Sequence, residues 1–373
     1  MKKELHVPEK DNLTFRMLYL IAIVFVVDGH TQLGDMFSMG NLFKYYSFHL
    51  MLFAFGSGYF FKYHGGILSD LIARAKRLLI PLYLWNIIYG VGAAFLRRFG
   101  EFQAGQPLSL YTIFLAPITD GEHFAWNLGS WFLFPLFLSQ TIYSLIRRAE
   151  KYWKHNEWIT FIICLFLGCT AAQICYLNRQ DLLPLFFLRT LILLPGYAGG
   201  QLYRRCLEHR DHMPTIPYLI LFLTLRALLC VRYENLAYLI STCTYFVCDP
   251  FGVYFGAFLA IAFYLRIARV TAPLLAKSKL ALYASRHTFD IMMHHFMGFF
   301  ALNCFFLILN ILGIGAADFS VKTFRFNYYY NYAPQNRSEW NILYVLAGIL
   351  FPLVIAWGTD QVRLLFKKRK HNS

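Results

Sequence analysis

TFRMLYLIAIVFVVDGHTQLG, residues 14–34, is the stretch on which the fold turns. A helix that crosses a bilayer needs roughly 20 predominantly apolar residues, and this run supplies them. The segment before it, MKKELHVPEKDNLTFR, is basic in the manner of a signal peptide. No small-residue cleavage site closes the run, and Asp28, Gly29 and His30 interrupt its far end. It reads as a retained first transmembrane helix.

Nine further segments have the same character: 46–62, 78–98, 127–146, 158–177, 185–203, 216–233, 250–266, 287–311 and 340–362. The expected architecture is all-α, a polytopic integral membrane protein of about ten transmembrane helices. Residues 1–373 form one membrane domain, with no repeat, linker or soluble module. Composition agrees. Charged residues make up 15% of the chain and hydrophobic ones 58%, with 38 Phe and 25 Tyr, where a soluble domain carries about 25% charged residues. A water-facing core has no use for so much apolar surface, so the excess faces membrane lipid. The eight cysteines lack metal-ligand spacing and read as small packing residues, and no metal is expected. For Cys243 and Cys248 an extracytoplasmic disulfide is the minor alternative to packing.

The net charge of +15 reads as loop charge that sets orientation, not as a nucleic-acid footprint. With the amino terminus inside, the basic clusters around Lys2, Arg74, Arg147, Arg204, Lys277 and Lys368 all fall on the cytoplasmic side. Only Lys44, Arg97, Arg98, Arg179, Arg232, Lys322, Arg325 and Arg337 fall outside, so both termini are expected in the cytoplasm. Two outer loops are long, roughly 99–126 and 312–339. The second contains FRFNYYYNYAPQN, 324–336, which suits either a sugar-stacking platform or an interfacial aromatic belt.

Ionisable groups inside spanning helices are functional candidates, because burying them costs several kcal/mol. His30 lies about 24 Å along the first helix, in its outer half. Arg16 and Tyr19 return to within roughly 40° of the His30 direction and share its face, whereas Asp28 points elsewhere. The second helix runs back inward, so His49 at its outer end reaches a similar depth. Two imidazoles there suit proton transfer near neutral pH. Below them, Gly56, Ser57 and Gly58 permit close helix approach. Arg74, Lys76 and Arg77 gather before the third helix, as phosphate ligands or as topology anchors. In the ninth helix, Asp290, His294 and His295 lie within about 12 Å of the inner end. The two adjacent histidines cannot share one face. Arg226, mid-way along the seventh helix, faces a polar interior.

Five of these stretches together resemble the acyltransferase-3 superfamily of membrane O-acyltransferases. YLIAIVFVVDGH, 19–30, is similar to its first-helix signature of an Arg, ten mostly apolar residues and a His. FHLMLFAFGSGYFFK, 48–62, resembles its second helix, with Ser57 and Gly58 as the Ser-Gly pair, and KRLLIPLYLW, 76–85, its basic loop entering a Pro-containing third helix. GSWFLFPLF, 129–137, resembles the start of its fourth helix. ASRHTFDIMMHHFMGF, 284–299, resembles its ninth-helix motif, nearest to the fucose O-acetylase-like branch. The resemblance implies transfer of an acyl group, usually acetyl, from cytoplasmic acetyl-CoA to a hydroxyl of an extracytoplasmic glycan or glycolipid, in the cell membrane of a bacterium. It implies His30 as the family's essential first-helix His, whose chemistry suits either the base or the acceptor of the acyl group, and Arg74 and Arg77 in the coenzyme-binding cluster. The family's first-helix Arg corresponds here to Tyr19. Arg16, one turn below on the same face, can reach that level. Glu122, His123 and Trp131 are candidates for acceptor contact, and Ser57, Arg226 and His295 for lining the pore. The competing reading is a glycan or lipid transporter without chemistry, which would more readily show paired acids in broken helices or inverted repeats.

Overall fold

The computed structural model describes residues 12–34, 36–100, 102–121, 124–150 and 156–371, with side chains to residue 365. Helix α1 (Leu13–Gly29) starts where the Asn12 side chain accepts the Phe15 N–H at 3.1 Å, the usual satisfaction of a free helix-end donor. Helices α2 (His49–Tyr59), α3 (Ile67–Phe99) and α4 (Leu133–Ala149) follow, the last preceded by a 3₁₀ turn over Leu128–Phe132. Next come α5 (Glu157–Tyr176), α6 (Leu185–Leu202), α7 (Thr215–Arg232) and α8 (Pro250–Thr271). The short α9 (Lys279–Arg286) leads into α10 (Thr288–Ile311), and α11 (Val321–Phe326) lies in the loop before α12 (Asn341–His371). Among the described residues the structure is 76% helical, with no sheet.

Among the described residues, eight helices are long and apolar enough to cross a membrane. The other two expected segments are α1, with 17 residues, and α2, with only 11. Segment 46–62 is shorter than expected because its start is spent on a 3₁₀ turn, Tyr45–Ser47. Helix α3 is longer than expected. Its first turns, ILSDLIARAKR, are held in helix by an Asp70–Arg74 pair at i,i+4.

Helix α6 occupies the centre. Its apolar window is 83% buried, against 11% for α7, which shows most of its surface to lipid. Helices α2, α4 and α5 all pack on α6. The α2–α6 contact depends on glycine: a Cβ on Gly58 would stand 1.8 Å from the Tyr197 carbonyl oxygen, and one on Gly200 1.9 Å from that of Phe55. Helix α1 threads between α8 on one side and the α10–α12 pair on the other.

Arg226 is fully buried, yet it needs no carboxylate. Its guanidinium donates to the Leu42 carbonyl at 2.6 Å, the Gly256 carbonyl at 2.5 Å and Ser47 Oγ at 2.5 Å, and lies over the Phe43 ring. It ties α7 to α8 and to the 41–47 segment. The loop 312–340 folds back over the bundle: Asn331 donates to the Thr31 carbonyl at 2.5 Å, and the Tyr332 N–H to Tyr344 Oη at 2.6 Å. All eight cysteines are free, so the Cys243–Cys248 disulfide is not formed.

Candidate active site

The outer end of α1 carries the first part of the site. Asp28 faces away from His30, as its helical offset requires, and organises the turn beyond the helix. It accepts from Tyr45 Oη at 2.5 Å, the Met36 N–H at 2.7 Å and Asn341 Nδ2 at 2.7 Å. That node holds the helix end, and with it His30, against the Tyr45–Ser47 turn and the start of α12.

His30 Nδ1 lies 3.2 Å from Nε2 of the fully buried His295 on α10. Reckoning depth from helix starts put His295 well below His30. Their contact shows that α1 and α10 do not start at one level: α9, packed on α1, intervenes before α10 begins. His295 Nδ1 faces the Met292 carbonyl at 2.8 Å and the Ile291 carbonyl at 3.2 Å. A carbonyl accepts only from N–H, so a neutral His295 carries its proton on Nδ1 and presents a lone pair at Nε2. His30 must then donate from Nδ1. That leaves Nε2 as the basic nitrogen of His30.

His30 and His49 line one narrow cavity of about 50 Å³, together with Phe53, Gly129, Trp131 and Phe132. His49 Nδ1 faces the Tyr45 carbonyl, which gives it the same tautomer as His295. Trp131 is placed from behind by the buried Arg189, whose guanidinium lies 5.0 Å from the indole ring centre. Arg189 itself holds the Ser241 and Asp120 carbonyls. Gly129 lets the 3₁₀ turn reach α10: a Cβ there would lie 2.5 Å from the Met292 carbonyl oxygen and 2.8 Å from His295 Cε1. His294 faces the opposite way, with Nδ1 2.7 Å from Tyr89 Oη and its ring edge-on to Trp85. Glu122 and His123 lie outside the described residues.

A second cavity of about 170 Å³, the inner one, lies nearer the start of α1 and brings together Tyr19, Ser57, Arg74, Arg77, Gln140 and Tyr197. Gln140 Nε2 donates to Ser57 Oγ at 2.9 Å. The two arginines differ. Arg74 is buried and makes two 3.0 Å contacts to Asp70, which also accepts from Ser144 Oγ at 2.6 Å. Arg77 is exposed and has no ion pair among the described residues. Arg77 and Arg16 both lie near enough to the Tyr19 hydroxyl to act on it electrostatically. Arg16 is not part of the cavity lining.

Two rings stand between the cavities. Tyr19 of the inner one stacks on Phe53 of the outer one, with centroids 5.8 Å apart and planes within 15°. Phe53 in turn meets the edge of Phe132 at 6.3 Å.

The family model of the acyltransferase-3 acyltransferase domain matches residues 18–360, nearly the whole chain. The chain belongs to this family. No curated protein and no solved structure matches it. As a membrane acyltransferase it places a pair of linked imidazoles at one end of the bundle and a polar, arginine-bearing cavity at the other. Sequence reading put His30 and His49 at a similar depth and Trp131 among the acceptor contacts, and in the structure all three line one cavity. It missed the pairing of His30 with His295 and the part played by Gly129, because both depend on contacts more than 160 residues apart in the chain.

Proposed function

We propose that this acyltransferase moves an acyl group, acetyl in the first instance, from cytoplasmic acyl-coenzyme A to a hydroxyl of an extracytoplasmic glycan or glycolipid. The observation that carries the reading is the chain of contacts Met292 carbonyl, His295, His30, which leaves one basic nitrogen on a ring that lines the outer cavity. In this reading His30 Nε2 takes the proton of the acceptor hydroxyl as its oxygen attacks the thioester carbonyl. The C–O bond forms, the C–S bond breaks, and the proton passes on to the departing thiolate. His295 steadies the transient imidazolium by accepting from its Nδ1–H, the role of the orienting group in a catalytic triad. Trp131 Nε1–H has no partner among the described residues and supplies a donor for the developing oxyanion. His49, with its basic nitrogen free, orients the acceptor.

The inner cavity suits the donor. Arg77 and Lys62 are cations there without a carboxylate partner among the described residues, and Ser57, Gln140 and Tyr197 give the wall polar groups for an amide-bearing arm. The protein is expected in a bacterial cell membrane with both termini in the cytoplasm. Purified protein is tested for release of coenzyme A from acetyl-coenzyme A, and for loss of that release in His30→Ala. Mass spectrometry of surface glycans from cells with and without the protein then looks for the added acyl mass. Full thioester turnover in His30→Ala would remove the reading.

A further inference from the structure

We propose that Tyr19 and Phe53 form an aromatic gate between the two cavities, and that this gate, with the small cavity behind it, restricts the enzyme to short acyl groups. The inference rests on the acyl-transfer reading above and adds to it the residues that set donor specificity. Each ring belongs to a different helix and a different cavity: Tyr19 of α1 faces the inner one, Phe53 of α2 the outer one, and the two are stacked. Phe132, from the turn before α4, backs Phe53 on the far side. A thioester entering beside Arg77 has to pass these rings, because His30 lies 11 residues further along α1 than Tyr19, about 16 Å at 1.5 Å per residue.

Tyr19 is built to move. Its hydroxyl has no hydrogen-bond partner among the described residues, whereas the hydroxyls of Tyr45, Tyr46 and Tyr59 are tied to Asp28, the Gly29 carbonyl and Glu208. Its ring lies against Gly56, where a Cβ would stand 2.5 Å from Tyr19 Oη. Any larger residue there would fill the space the ring now uses.

The cavities are also unequal, about 170 Å³ inside and about 50 Å³ outside. At roughly 10–15 Å³ for each enclosed water, the outer one holds about four water-sized groups. That is room for an acetyl group and one acceptor oxygen. The body of a longer chain would have to stay on the inner side with the gate held open.

The test uses the full chain in two independent measurements. In the first, coenzyme A release is compared for acetyl- and octanoyl-coenzyme A in wild type, Phe53→Leu and Phe53→Ala, with coenzyme A affinity measured separately. Phe53→Ala is expected to raise the octanoyl-to-acetyl rate ratio at least about tenfold, with Phe53→Leu between, while affinity for coenzyme A stays unchanged. In the second, Leu50→Cys puts a thiol on the outer cavity wall. A charged thiol reagent applied from the cytoplasmic face, with labelled sites located by mass spectrometry, is expected to modify it at least about tenfold faster when Phe53 is Ala. Labelling that does not respond to position 53 overturns the gate and leaves acyl transfer standing. Faster labelling with an unchanged rate ratio overturns the chain-length limit. A wild-type protein that neither binds coenzyme A nor cleaves any of its thioesters overturns the acyl-transfer reading instead, and the chain-length limit with it.

Discussion

His30 Nδ1 and His295 Nε2 meet at 3.2 Å across 265 residues of chain, and the Met292 carbonyl behind His295 sets the direction of every proton between them. The pair turns His30 into a base of defined tautomer. Removing the base itself, in His30→Ala, is expected to cost about 10²–10⁴-fold in turnover. His295→Ala is expected to lower kcat by at least about tenfold with the KM for the acyl donor unchanged, because His295 acts through His30. His295→Gln, which keeps an acceptor, should recover part of that loss. A rise in donor KM with normal kcat would reduce His295 to packing.

Gly129 offers a subtler perturbation of the same pair. Its missing side chain leaves the space that His295 Cε1 and the Met292 carbonyl occupy. Gly129→Ala should insert into the membrane normally and yet lose about tenfold or more in kcat, since a displacement of about 1 Å at a catalytic pair is enough for that. Steady-state kinetics beside a detergent thermal-melt measurement separate this from unfolding.

Arg74 and Arg77 should respond differently to the same change. Arg77→Gln removes one charge-assisted contact of about 1.5–3 kcal/mol, so coenzyme A binding should weaken about tenfold or more in a folded protein. Arg74→Gln removes two 3.0 Å contacts to Asp70, which keeps Ser144, His64 and Arg148 as partners, and should destabilise the protein by about 1–3 kcal/mol. Adding Asp70→Asn should return part of that stability. Calorimetric binding and thermal unfolding give the two readouts, and equal behaviour of the two variants would contradict the distinction.

Arg16 stands one turn below Tyr19 on α1, at the level from which a guanidinium can serve a donor phosphate. If it makes a fork-shaped contact, Arg16→Lys should lower acyl transfer at least about tenfold despite the conserved charge. Tyr19→Arg in the same background should restore part of the activity. Full activity of Arg16→Lys would leave Arg16 an anchor at the membrane surface.

The outer loop carries a pH response of its own. The hydrogen bond from Tyr332 Oη holds the Asp318 carboxyl below its ordinary value. A depressed carboxylate contributes stability above its unfolded pKa of about 3.9 and loses it as pH falls through the lower folded value. Protease cleavage between residues 312 and 337 should therefore rise below about pH 4 in wild type. Asp318→Asn should show the higher cleavage already at neutral pH.

Much of this protein was legible as sequence, for a simple reason. Lipid imposes one rule on every spanning segment, a long run of apolar residues, and that rule is local. Helices α4 to α8, α10 and α12 accordingly lie close to where hydropathy placed them, and helical phase alone turned His30 and Asp28 to opposite sides of α1. The local rule also had limits. Hydropathy could not see that α2 is 11 residues long, because its burial comes from close backbone contact, Gly58 against Tyr197 on α6 and Gly200 of α6 against Phe55, rather than from length.

What the tertiary structure decided was partnership. Arg226 had no visible counter-ion in sequence because its partners are carbonyls of Leu42 and Gly256, and every residue type carries a carbonyl. Arg74 and Arg77 were alike as letters; both reach the cavity, and only the fold paired one with Asp70 and left the other without an ion pair among the described residues. Depth counted along separate helices kept His30 and His295 apart, since nothing local records how far one helix is shifted against another. The sequence by itself determined a bundle of membrane helices with histidines along its length. Which histidine faces which was settled by packing, through contacts between segments that share no local signal.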